Sequence, residues 1–181
     1  PDAVIIATGA MPSKPMLEGV EEAHVVEAWR VLRDEANVGH NVVIADWRCD
    51  WIGLGLAEKL ARSGCHVRLA VNGTMAGQSI SAPVRDHWVG VLHELGVEIV
   101  TYARAYGVDT DSAYFQHTTS GKPIIFDQVD TLVTALGHEP VTALEQALES
   151  WGGDVHCAGD CLNPRTAEEA VLEGLRVAVV V

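Results

Sequence analysis

Positive charge, cysteine and long apolar runs are all scarce in this sequence. Twelve Lys and Arg stand against 25 Asp and Glu, so the net charge is 12 − 25 = −13. A field of that sign repels phosphate backbones and anionic lipid, which argues against nucleic-acid and membrane-surface roles. No apolar run approaches the ~18–20 residues of a membrane span. The four cysteines, Cys49, Cys65, Cys157 and Cys161, have neither C-x-x-C nor paired metal-knuckle spacing, and a secreted disulfide framework would be denser. Reduced thiols in a cytoplasmic protein are expected. The opening Pro1-Asp2-Ala3 has no basic region and no signal-peptide layout. Because the chain lacks a first Met and opens directly into an apolar strand, we expect it to be a piece of a longer one. There is no G-x-S-x-G nucleophile motif, no His pair at H-x-x-x-H spacing and no cysteine run of iron–sulfur type. We therefore assign no catalytic nucleophile and no metal ligand.

What is present is a regular alternation. The 181 residues, 48% hydrophobic and 20% charged, suit one globular domain, or one domain and part of another. Short apolar runs, four of the six closed by glycine, recur at Val4–Ala7, Val42–Ala45, Val67–Val71, Val97–Val100, Leu132–Leu136 and Val155–Ala158. Such runs are the mark of parallel strands covered on both faces. Between them lie helical stripes: Val25, Trp29, Leu32 and Ala36; Leu54 to Ala61, stopped at Ser63-Gly64; and Val84, Trp88, Val91, Leu92 and Leu95. A last helix opens at Thr166, with Glu169 placed for a capping box. From Tyr102 to Phe126 the helical period is lost. Tyr114–His117 and Ile124–Phe126 read as strands around the turn Thr119–Lys122. The fold class is α/β: a Rossmann-like parallel sheet with helices on both faces and an antiparallel β-meander flap.

The stretch Val42 to Val71 is a βαβ unit, where a dinucleotide fingerprint G-x-G-x-x-G should sit at the strand-to-helix turn. The slot reads Arg48-Cys49-Asp50-Trp51-Ile52-Gly53, and of the three glycines only Gly53 survives. Side chains fill the space where backbone would approach a pyrophosphate. Asp46 and Asp50 bring negative charge toward it, which Arg48 offsets in part. The second strand ends at Asn72, a weaker ribose ligand than a carboxylate. Two readings stay open at this turn: true nucleotide binding, or a retained fold with a repurposed pocket. Trp47 and Trp51 bracket the turn and are expected to pack; His138-Glu139-Pro140 is expected to be a surface turn stopped by proline.

The two ends of the chain carry a second constellation. Thr8-Gly9 closes the first strand, and Ala158-Gly159-Asp160 closes the last, just ahead of the capped helix. A carboxylate at a strand's C-terminal end suits ribityl or ribose hydroxyls, and a helix N-terminus favours nearby phosphate.

With those residues in hand, Asp2–Ala10, Thr131–Pro140 and Ala158–Asp160 followed by Pro164–Ala170 resemble flavoproteins with two dinucleotide-binding domains. The turn from Asp46 to Gly53 with Leu56–Leu60 resembles one branch of them. That branch is the C-terminal portion of the trimethylamine and dimethylamine dehydrogenase, 2,4-dienoyl-CoA reductase and N-methylproline demethylase-like NADH:flavin oxidoreductases. The resemblance implies a partial FAD- or ADP-type domain over residues 1–20 and 138–181, and an inserted NAD(P)-type domain over 21–137. It implies an enzyme acting on N-methylated amines or enoyl substrates, with Thr8, Gly9, Gly137, Gly159 and Asp160 beside the FAD or ADP. Asp46, Arg48, Asp50, Gly53 and Asn72 would line any NAD(P)H site. FMN and a 4Fe-4S cluster would be held by an N-terminal barrel domain of the same full-length chain, in a homo-oligomer. The rival reading is a non-catalytic docking module with a degraded pocket. A complete disulfide reductase would need a C-x4-C pair, and Cys157 and Cys161 are not that pair.

Overall fold

The computed structural model describes residues 1–21 and 24–181. In chain order its elements begin with β1 (Ala3–Ile6), β2 (Ala10–Pro12), β3 (Val25–Glu27), α1 (Ala28–Leu32), β4 (Asn41–Asp46), α2 (Trp51–Arg62) and β5 (His66–Val71). There follow α3 (Ala82–Glu94), β6 (Glu98–Val100), β7 (Ala103–Val108), β8 (Ser112–His117), β9 (Pro123–Asp127) and β10 (Thr131–Ala135). The chain ends with β11 (His138–Pro140), α4 (Ala143–Ala147), β12 (Asp154–Cys157), a 3-10 turn over Gly159–Cys161, and α5 (Ala167–Ala178). Two compact units result: Pro1–Ser13 with His138–Val181, and Lys14–Gly137. The segment after Lys14 belongs with the larger unit because Glu18 bonds through its backbone to Tyr106 and Val108.

The larger unit is built on a five-stranded parallel sheet in the order β3-β10-β4-β5-β6. Side chains alternate across a strand, so each strand serves two cores. Val42, Ile44, Leu69, Val71 and Val133 meet Leu54, Leu56, Leu60 and Leu92 of the helices. Val43, Ala45, Ala70 and Leu132 meet the meander β7-β8-β9, where Phe115 and Phe126 pack edge to face with centroids 5.1 Å apart. The expected α/β, Rossmann-like class holds with one difference: α1, α2 and α3 all pack on one face of the sheet, and the meander rather than a helix covers the other. Each fully buried Leu or Ile contributes about 1.5–3 kcal/mol.

Arg68 of β5 fastens the meander to its face of the sheet. Its two terminal nitrogens donate to the Asp127 carbonyl at 3.1 Å, and its guanidinium lies 5.3 Å from the Phe126 ring centroid. Arg68→Ala is expected to cost about 1–3 kcal/mol, from lost charge-assisted bonds and stem packing. Chemical denaturation measures it.

Three sequence expectations are corrected. Val25 is not on a helix: β3 pairs in parallel with β10, Leu132 opposite Val25, and only Ala28–Leu32 is helical. His138–Pro140 is not a bare turn but a strand, antiparallel to β2. The meander has a third strand, β7, ahead of the two expected.

The smaller unit pairs β1 with β12 in parallel, in register from Ala3 opposite Asp154 to Ile6 opposite Cys157. The Ala158 N–H continues the ladder to the Ile6 carbonyl at 3.0 Å. Thr166 and Glu169 form the capping box of α5, as the spacing predicts.

Candidate functional site

In the larger unit the turn from β4 to α2 lies at the carboxyl end of the sheet, where strand order reverses between β10 and β4. That crevice is where open α/β sheets bind ligands. Asp46 ends β4, but its carboxylate does not face a ligand. The residue is 2% exposed, and one oxygen accepts from the Cys49 N–H at 2.8 Å. The other oxygen is buried and has no hydrogen bond among the described residues. Burial, reinforced by the Asp50 charge, pushes the Asp46 carboxyl up to about 7, against the pull of the Cys49 N–H. The expectation that Asp46 presents charge to the pocket is thus corrected: it lies under the turn, against Gly53. A Cβ on Gly53 would overlap the Asp46 carboxylate, so this surviving glycine is required by close packing of helix on strand.

Asp50 is the N-cap of α2. One of its oxygens accepts from the Ile52 N–H at 3.0 Å, while the other lies 3.2 Å from Arg48 Nε. Cys49, between them, takes a left-handed backbone at φ 53°. Its thiol is pushed up to about 11, by burial first and then by the Asp46 carboxylate. A Cβ on Gly137, which has φ 104°, would stand 3.1 Å from Arg48 Cδ, so the Arg48 stem lies over the end of β10.

The loop after β5 folds onto the same turn. The Asn72 N–H donates to the Asp46 carbonyl at 2.9 Å. Ser79 donates through Oγ to the Arg48 carbonyl at 2.9 Å and through its N–H to the Cys49 carbonyl at 3.0 Å. The Gln78 side chain accepts from both the N–H and the hydroxyl of Thr74. Beside the turn is a cavity of about 280 Å³ whose lining includes Lys14, Trp47, Asn72, Arg104 and Leu136. The Arg104 guanidinium sits 5.2 Å from the Trp47 ring centroid. Trp47 and Trp51 are both partly exposed, and Trp51 is tilted against Trp88 at 5.8 Å. Neither the cavity's two basic residues nor the Ser79 clasp has a signature in sequence.

In the smaller unit Gly9 and Gly159 come to the same end of the β1–β12 pair, with φ 77° and 75°. A Cβ on Gly9 would meet nothing within 4 Å, so the space above it is open. The Thr8 hydroxyl donates to the Val141 carbonyl at 2.7 Å, a tie within this unit. Asp160 uses one carboxylate oxygen on the Arg165 N–H at 3.3 Å. Its second oxygen makes no bond among the described residues. The Gly159 N–H is taken by Glu173 at 2.8 Å, and Glu173 in turn pairs with Arg165. Glu173, 9% exposed, is a positioning residue that sequence reading missed. Nothing but its place on an otherwise apolar helical stripe could have flagged it. Glu169 occupies the first turn of α5 in the capping box, so that helix end already holds a carboxylate. Cys157 has its thiol pushed up to about 11 by burial and then by the Glu145 carboxylate. All four cysteines are free, and no metal-ligating cluster occurs among the described residues. No helix among them is long and apolar enough to cross a membrane.

Comparison with known proteins bears on the family and the fold. The pyridine nucleotide-disulphide oxidoreductase family matches residues 1–174. A bilirubin reductase of Mediterraneibacter gnavus (strain CC55_001C) is 32% identical over 180 residues, which cover 98% of this chain and 27% of the relative. A probable N-methylproline demethylase of Rhizobium meliloti (strain 1021) is 42% identical over 69 residues, covering 38% of this chain and 10% of that protein. The structure of histamine dehydrogenase from Rhizobium sp. 4-9 superposes with a TM-score of 0.85 at 19% identity, over 98% of this chain and 30% of that one. The chain thus spans about a third or less of the length of these three proteins. It belongs to the pyridine nucleotide-disulphide oxidoreductase family.

Proposed function

We propose that this chain is the nucleotide-binding portion of a cytoplasmic, flavin- and iron–sulfur-dependent oxidoreductase acting on N-methylated amines or enoyl substrates. The smaller unit is the FAD- or ADP-type module, and the larger is the inserted NAD(P)-type domain. The observation that carries the reading is the in-register β1–β12 pair. It brings Gly9, Gly159 and Asp160 to one strand end, with open space at Gly9 and an unbonded oxygen on Asp160. That fits the hydroxyl chain of FAD or the ribose of ADP. Glu173 and Arg165 hold the Gly159 turn in place. The local similarity to an N-methylproline demethylase supports the amine side of the substrate class.

FMN and a 4Fe-4S cluster belong, on this reading, to an N-terminal barrel domain of a longer chain that assembles as a homo-oligomer. FMN supplies the hydride-accepting chemistry there, and the residues described here hold nucleotide and pack against the barrel. Val171 and Leu175 on α5 and Val179 at its C-cap, four residues apart and all exposed, give that packing an apolar stripe. A docking module without nucleotide is the second reading, and Asp50 at the α2 N-terminus favours it for the larger unit alone.

Titration of the chain with FAD, followed by flavin fluorescence, and with ADP, followed by calorimetry, tests the proposal. Micromolar binding is expected, weakened about tenfold or more in Asp160→Ala, since a charge-assisted hydrogen bond is worth about 1.5–3 kcal/mol. Equal affinity in the variant, or no binding by wild type, refutes it.

A further inference from the structure

We infer that the fingerprint turn of the larger unit is plugged by the chain's own carboxylate: Asp50, clamped by Arg48, occupies the N-terminus of α2 and excludes the pyrophosphate of a dinucleotide. The fold family implies NAD(P)H at this place, and the residues present do not fit it.

An anion binds at a helix N-terminus because the first turn carries unsatisfied N–H groups and the positive end of the dipole. Here α2 is 12 residues long, and the chain's own carboxylate already takes one of those N–H groups and sits at the positive end of the dipole. Asp50 accepts from the Ile52 N–H at 3.0 Å. Its charge is balanced by Arg48 at 3.2 Å, with the two side chains only 18% and 34% exposed. A pyrophosphate arriving there would meet a fixed negative charge in a place of low solvent exposure, with its own compensating cation already spent.

Two further features close the space around that carboxylate. The Arg48 stem runs over Gly137 at the end of β10, and so lies in the crevice between β4 and β10 that a dinucleotide would span. From the other side, Ser79 clasps the Arg48 and Cys49 carbonyls and holds the turn in one conformation. Close approach of a phosphate to the turn's backbone is also barred by side chains. Where two glycines would leave bare backbone, the chain has Arg48 and Asp50.

The test is titration with NADH followed at the amide signals of Cys49 through Gly53, which report binding at the larger unit's turn and not at the smaller unit. Asp50→Ser keeps a good helix cap while removing charge and bulk, and Asp50→Asn removes the charge alone. The parent is expected to show no saturable binding at millimolar NADH. Asp50→Ser, or Asp50→Asn if the serine variant does not fold, is expected to bind saturably and at least about tenfold more tightly, a gain equal to about 1.4 kcal/mol. Micromolar binding by the parent overturns the inference. Variants that fold and bind no better than the parent overturn it too, because the barrier is then not Asp50.

Discussion

Gly53→Ala is expected to be strongly destabilising. The added methyl would overlap the carboxylate of Asp46, which is 2% exposed on a central strand and has nowhere to retreat. Overpacking of a tight core costs about 1–3 kcal/mol and sometimes more. Rigid neighbours on both sides place this case at the upper end, at least about 3 kcal/mol. For a protein of this size that lowers Tm by roughly 6–12 °C. The cause can be separated from helix propensity, which by itself favours alanine over glycine. In an Asp46→Ala background the same Gly53→Ala change should cost less, because the overlapping carboxylate is gone. A double-mutant cycle by denaturant unfolding should give a coupling of about 1–3 kcal/mol. Strict additivity would show that Gly53 is not held to glycine by Asp46.

The second large effect belongs to Asp46 itself. Its folded carboxyl titrates near 7, against a usual value of 3.8, because burial disfavours the charged form. The folded state therefore binds the proton more tightly than the unfolded state. The stability from this group is complete below about pH 4 and is lost as pH rises through about 7. The difference of about 3 pKa units corresponds to about 4 kcal/mol. Asp46→Asn carries no charge at any pH. Its stability relative to wild type should improve by about that amount between pH 4 and pH 8, and then level off. Urea unfolding of both proteins across that range provides the measurement. A difference that stays flat with pH would show that Asp46 is ionised in the folded protein.

Both effects sit at one turn, and that turn shows how much of the molecule can be read in its sequence. β1, β4, β5, β10 and β12 all lie where the short β-branched runs lie, and β4, β5 and β10 are largely buried, as a doubly covered parallel strand requires. The helical stripe from Val25 to Ala36 fails for a nonlocal reason. The spacing suits a helix, but Val25–Glu27 is taken by pairing with β10, more than a hundred residues later. His138–Pro140 is strand for the same reason, through β2. At the turn, Asp50 has the sequence mark of a helix cap, an Asp immediately before the helix. Aligning it to a fingerprint glycine conceals that mark. The burial of Asp46 beneath Gly53 depends on the distance between a strand end and a helix, which one-dimensional pattern does not hold. The Ser79 clasp and the pairing of Glu173 with Arg165 are likewise tertiary.

Amide chemical-shift mapping of the chain with ADP compares the two units in one experiment. The account predicts that the N–H signals of Gly9, Gly159 and Asp160 move with ADP in a single saturable transition, while those of Cys49 through Gly53 stay in place. Movement of the Ile52 and Gly53 signals, with Gly159 and Asp160 unmoved, would contradict it.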